Sequence, residues 1–186
     1  MLKQILSPLL IIASLLGMYF GAFLPLKKSQ LFIEAYSVFN SQPTLQGLEE
    51  SFNKALDFYS PVGQEEERRY LGSRLLSLFT KQIPEPVAGE LVRYYESKFD
   101  FENEKNGGLN WTQNILILGN LRQAVWEIFK SDKDYQKAEE YYLKGLKLSP
   151  TRPQFLYGLQ QLYKSKNETE KERQTTEKIN ALWPNK

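Results

Sequence analysis

The 186-residue chain contains no cysteine and no histidine. Without thiols there is no disulfide framework, no cysteine nucleophile and no thiolate-held zinc or iron–sulfur centre. Without imidazole, the commonest general base and the base of a serine triad are both missing. An active site would have to be assembled from carboxylates, lysines, tyrosines and arginines. The chain also lacks GxxxxGK[ST], GxGxxG and HExxH, the motifs of nucleotide and zinc chemistry. No catalytic residue, cofactor or bound metal is therefore expected. An excess of one charge is missing too, with 24 basic residues against 22 acidic and a net charge of +2. Lys3, Lys27 and Lys28 flank an apolar segment that no acid precedes, so the body after Ser29 is close to neutral. With no basic stripe, no nucleic-acid partner is expected.

What is present is strongly segregated. Ile5 to Leu26 carries no charge. As a helix it would extend roughly 33 Å, enough for a hydrocarbon core of about 30 Å. Pro8 falls in the first turn of that segment, where a missing N–H costs little. Tyr19, Phe20 and Phe23 lie near its far end, as in an interfacial aromatic belt. A cleaved signal peptide is the rival reading. It calls for a shorter apolar core and a small-residue cleavage site, whereas this run ends in Phe23-Leu24-Pro25. The sequence therefore predicts a retained anchor over residues 1–28 and single-pass residence in the cell membrane. Lys3 on one side and Lys27 and Lys28 on the other leave the orientation undecided. Within the anchor Ala13, Gly17 and Gly21 are spaced by four, and Gly17 to Gly21 is a GxxxG match. This stripe would let two anchors approach closely, and glycine is also common in membrane helices generally, so both readings stand.

From Ser29 to Lys186 the apolar spacing is mostly three and four, the helical period. The spacing predicts helices over Leu31–Phe39, Thr44–Tyr59 with Thr44 as cap, Gln64–Lys81, Val87–Phe99, Trp111–Phe129, Tyr135–Leu148, Thr151–Lys164 and Thr169–Leu182. Turns are expected at Asn40-Ser41-Gln42-Pro43 and Ser60-Pro61-Val62-Gly63, and the clearest loop at Asn103–Gly108. Glu65-Glu66-Glu67-Arg68-Arg69 reads as a first helical turn, with Glu65 reaching Arg68 and Arg69. Trp111, Trp126 and Trp183 are expected to fill core space.

Self-similarity organises the second half. Pro150 and Pro184 are 34 residues apart, as are Leu148 and Leu182, Phe129 and Tyr163, and Val125 and Leu159. Ala138, Tyr142, Gly145 and Pro150 supply a small residue, an aromatic, a second small residue and a closing proline. That pattern resembles the second helix of a tetratricopeptide repeat. The resemblance implies an all-α fold in which antiparallel helical pairs form a right-handed solenoid over residues 29–186. Ala138 and Gly145 are then expected where helices touch, with room for one methyl at Gly145. Leu48, Phe52, Ala55 and Phe58 form a similar earlier unit, and the last unit, with Glu172 and Thr176, reads as a polar cap.

A broader resemblance rests on the apolar helix followed by Leu26-Lys27-Lys28-Ser29-Gln30, on Phe52-Asn53-Lys54-Ala55-Leu56 and Gly63-Gln64-Glu65-Glu66, and on Tyr142 to Pro153. These segments look like the repeat-bearing C-terminal tail of bacterial O-antigen ligase or polymerase-type membrane proteins. They imply an accessory or detached part of an envelope glycan-assembly system, without its catalytic membrane domain.

In repeats of the tetratricopeptide kind, first-helix positions that avoid the core line a groove. Alignment on Pro150 and Pro184 assigns Asn120, Gln123, Glu127 and Lys130 to it, then Gln154, Tyr157, Gln161 and Lys164. The basic and asparagine residues that clamp a peptide carboxylate in some members are not matched at Gln123, Glu127, Tyr157 and Gln161. The functional expectation is a membrane-anchored scaffold or adaptor for a protein partner at the cell envelope, with self-association through the membrane helix as a further expectation.

Overall fold

In the computed structural model the described residues are 2–40, 44–80, 83–99, 101 and 109–184. Among them every regular element is helical and no strand occurs. The expected loop at Asn103–Gly108 and the Ser41–Pro43 part of the first expected turn lie outside the described residues. The chain divides into two compact units, Met1–Leu71 and Gly72–Lys186.

In the first unit, α1 (Leu2–Met18) passes through a π turn (Tyr19–Phe23) into α2 (Leu24–Ser37) and a closing 3-10 turn (Val38–Asn40). The sequence predicts a stop at Leu26 and a separate helix from Leu31, but the structure has one continuous helix. Pro25 explains both the expectation and the outcome. It has no N–H for the i−4 carbonyl, and its ring crowds that carbonyl in an α-helix. The Leu24 N–H instead reaches back to the Tyr19 carbonyl, a wider turn that lets the helix pass the proline without breaking. From Pro8 to Phe23 every residue is exposed. This is one helix long and apolar enough to cross a membrane.

From Leu24 onward the same helix acquires a buried stripe, Leu24, Lys28, Ala35 and Phe39, at helical spacing. It packs against α3 (Leu45–Leu56). Thr44 caps α3 as expected, its hydroxyl accepting from the Gly47 N–H at 3.1 Å. The buried face of α3 is Leu48, Phe52, Ala55 and Leu56, and Phe39 meets Phe52 with ring centroids 5.7 Å apart. The chain then turns through Asp57–Gly63 into α4 (Gln64–Leu76), whose course crosses the boundary between the units. Gly63 takes φ 95°, a left-handed conformation that favours glycine.

The second unit continues through a 3-10 turn (Ser77–Thr80) into α5 (Glu85–Glu96), α6 (Leu109–Phe129), α7 (Asp132–Leu148), α8 (Pro153–Lys166) and α9 (Thr169–Leu182). α6 pairs with α7 and α8 with α9, while α7 and α6 both touch α8. Ser131 caps α7 by accepting from the Asp134 N–H. α8 ends on Asn167 with φ 63°, and the Glu168 N–H bonds the Tyr163 carbonyl at 2.9 Å, a left-handed helix stop. Trp111 and Trp126 lie in the core, and Trp183 is half-buried.

The α7–α8 contact corrects one expectation. A methyl on Gly145 would lie 2.0 Å from Phe155 Cε1 and 2.3 Å from its Cζ. Phe155 is fully buried and cannot swing aside, so the room expected for one methyl is missing. Overpacking of this kind costs about 1–3 kcal/mol, more than the roughly 1 kcal/mol that alanine gains over glycine in a helix. Gly145→Ala is therefore expected to lower the melting temperature of the detergent-solubilised full chain by several degrees, as read by far-UV circular dichroism. An unchanged melt would mean that the α7–α8 joint opens at little cost.

Candidate functional site

Tyr142 stands at the centre of the second unit. It projects from α7 between two glycines, Gly119 on α6 and Gly158 on α8. A methyl on either would lie 2.6 Å or 2.7 Å from the Tyr142 ring. With no side chain on either wall, the fully buried ring slides between α6 and α8, and its hydroxyl emerges at their joint. There it lies 2.6 Å from Gln123 Oε1 and 2.9 Å from Asn120 Oδ1. One phenolic proton is shared between two amide carbonyls, which fixes both amides. The Gln123 amide donates in turn to Glu127 Oε1 at 2.8 Å. Burial pushes the Tyr142 hydroxyl well above its ordinary range, so it stays a protonated donor at any physiological pH.

Above this hydroxyl is a cleft of about 510 Å3. α6 contributes Asn120, Gln123 and Glu127 to its walls, and α8 contributes Gln154, Tyr157 and Gln161. Leu76, Leu116, Ala124 and Gly158 supply the apolar part. Six of the eight groove residues expected from sequence thus surround one cleft. Lys130 and Lys164 do not line it. Lys130 leaves α6 in a left-handed turn, φ 58°, with its ammonium 4.9 Å from the Trp126 ring centroid, and Lys164 is exposed on α8. The lining holds one carboxylate and no cation. Such a surface offers amide donors and acceptors to a neutral, hydrogen-bonding ligand, and Glu127 adds an acceptor for a basic group.

Beneath α6 lies an ion network that sequence reasoning missed. The buried Arg122 guanidinium donates to Glu96 of α5 through Nε at 2.7 Å and again through Nη2, while its Nη1 donates to Asp134 of α7 at 2.6 Å. Tyr141 adds its hydroxyl to Glu96 at 3.0 Å. One cation therefore clamps three helices, among them α6, which carries Asn120 and Gln123. No local spacing betrays it, because the partners are 26 and 12 residues away along the chain. Arg122 and Asp134 also border a second cavity of about 340 Å3 with Glu85, Arg93 and Lys133.

In the first unit the charged run holds a surprise. Arg68 pairs with Glu65 at 3.0 Å as expected. Glu67, from the same run, turns inward instead and meets Lys28 at 3.1 Å. Lys28 is 1% exposed and donates to the Ala55 and Phe58 carbonyls, both at 2.8 Å, and to Gln64 Oε1 at 2.7 Å. Burial pushes the Glu67 carboxyl up to about 7 against the pull of Lys28. Lys28 thus closes the carbonyl end of α3. In the apolar N-terminal helix, nothing lies within 4 Å of a methyl placed on Gly17 or Gly21, and Ala13 is exposed. Among the described residues no cluster of His, Cys, Asp or Glu is arranged to hold a metal ion.

The chain matches no family model, no curated protein and no solved structure.

Proposed function

We propose that this protein is a membrane-anchored helical scaffold whose second unit holds an extended polypeptide segment of a partner between α6 and α8. One observation carries the reading. The first helices of two successive hairpins contribute three polar side chains each to a single cleft. An extended peptide presents N–H and C=O groups along both edges, and the side-chain amides of Asn120, Gln123, Gln154 and Gln161 match them in kind. We read α6–α7 and α8–α9 as tetratricopeptide-like pairs, a reading supported by the two glycines and Tyr142 at the points of closest approach. The chemistry available also favours binding over catalysis. The only titratable groups in the lining are Glu127, Tyr142 and Tyr157, and Tyr142 is locked as a donor.

A cleaved leader would satisfy the same length and composition as the anchor. Retention is supported by the packing of Leu24 and Lys28 against the rest of the first unit, which a cleavage near Lys27 would disrupt. The accessory role in envelope glycan assembly rests on resemblance alone, and no feature of the cleft favours a glycan over a polypeptide.

A photo-crosslinking residue in place of Tyr157, in the full-length membrane-bound chain, tests the proposal. A discrete protein adduct is expected from this site and none from the same residue at Leu143, which is exposed on α7 and does not line the cleft. Ala124→Trp, which fills the cleft from α6, should remove the adduct. Identical adducts from positions 157 and 143, or an adduct indifferent to Ala124→Trp, would refute binding in the cleft.

A further inference from the structure

The turn between α3 and α4 exposes its apolar side chains. Tyr59 is 67% exposed and Val62 59% exposed, and Pro61 between them is exposed as well. In most soluble domains such residues are scattered and need no explanation. Here their position in the first unit gives them one. The continuous helix climbs away from the lipid-facing segment to Asn40, and α3 returns along it from Thr44. The turn that follows α3 is therefore at the end of the unit nearest the anchor. Lys28 fixes its height. The ammonium bonds the carbonyls of Ala55 and Phe58, and its Cγ lies 4.0 Å from where a Gly63 methyl would be.

Lys28 is five residues beyond Phe23, the last residue of the fully exposed apolar stretch. Along a helix that is about 7.5 Å. The polar layer on each side of a bilayer's hydrocarbon core is about 5–8 Å thick. The turn is thus held at headgroup height, within reach of a tyrosine side chain to the acyl boundary.

We propose that Tyr59, Pro61 and Val62 form a second membrane contact, an interfacial foot that rests in the headgroup layer beside the anchor. Its partner is a lipid surface, and the inference rests on the anchor reading. Tyrosine suits this depth because its ring is apolar and its hydroxyl remains wet. The foot and the anchor are joined through Lys28, so the first unit meets the bilayer at two points. The contact is apolar, and the exposed Asp57 beside it gives no preference for anionic lipid.

The chain has no cysteine, so single cysteines can be introduced and spin-labelled without background. In the full-length protein reconstituted into phosphatidylcholine vesicles, labels at Tyr59→Cys and Val62→Cys are expected to be reached readily by lipid-soluble oxygen and poorly by a water-soluble nickel chelate. A label at Gln46→Cys, exposed in the first turn of α3 at the opposite end of the unit, should show the reverse. Leu16→Cys, in the lipid-facing stretch, reports on the anchor itself. If Leu16→Cys reads as membrane-embedded while positions 59 and 62 read as aqueous as position 46 does, the foot is refuted and the anchor stands. If Leu16→Cys is also aqueous, the anchor reading and the foot fall together.

Discussion

Lys28→Met is expected to destabilise the first unit by about 3–5 kcal/mol, the range for removing one partner of a buried ion pair. The substitution keeps most of the side chain's volume and removes only the ammonium. The Ala55 and Phe58 carbonyls and the Gln64 amide then lose a shared donor, and the Glu67 carboxylate is left buried without its cation. The effect should depend on pH. Burial already raises Glu67 to about 7, and loss of the lysine raises it further. A carboxyl whose folded pKa lies above its unfolded value contributes stability at low pH and loses it as pH rises through the folded value. The deficit should therefore be smaller at pH 5 than at pH 8. Adding Glu67→Leu should recover part of the loss and flatten this dependence. Thermal melts of the full chain in detergent, with hydrogen exchange to identify the unit that opens, would measure both. A single variant that melts like the parent at pH 8 would show that Lys28 does not bear on the α2–α3 joint.

Arg122→Met should be comparably damaging, about 3–5 kcal/mol, but in the second unit. Methionine fills the space of the stem and leaves Glu96 and Asp134 facing each other across a vacated cation site. Arg122→Lys should restore the charge without the fork. A single ammonium cannot reproduce two bonds to Glu96 and a third to Asp134 in that geometry, so recovery should be partial. The same melts and exchange measurements apply, with protection lost first in α5–α7. The clamp holds α6, which carries one wall of the cleft, so adduct formation at position 157 should weaken in both variants, more in the methionine one. Full stability in Arg122→Met would mean that apolar packing alone sets the angle between α5, α6 and α7.

Much of this architecture is legible in the sequence because it follows from local spacing. Leu48, Phe52, Ala55 and Leu56 recur at three and four, and they are the residues α3 buries. The 34-residue offset between Pro150 and Pro184 was enough to select six residues that surround one cleft. The failures have physical causes too. The break expected between Leu26 and Leu31 is absent because the π turn just before Pro25 lets the helix continue through the proline into α2. Glu67 looked like one more solvated acid in a charged run, and Lys28 like a flanking membrane charge. Their partnership spans a long loop of sequence and follows no period. Whether a methyl fits at Gly145 is not written in the repeat pattern, because the size of Phe155 opposite decides the matter. Lys130 drops out of the cleft because a helix stop, which the repeat offset does not encode, bends it away.

The passage from α1 through the π turn into α2 has a mechanical consequence. A domain joined to its anchor by a flexible linker swivels freely, and its heading carries no information about the bilayer. Here the apolar helix runs without a linker into the packed stripe of Leu24, Lys28, Ala35 and Phe39. A helix longer than the local hydrocarbon thickness leans over to fit. If α1 crosses a bilayer as proposed, a lean imposed on it by a thinner membrane would carry into α2 and, through the α2–α3 packing, into α3, so the first unit would tilt with its anchor.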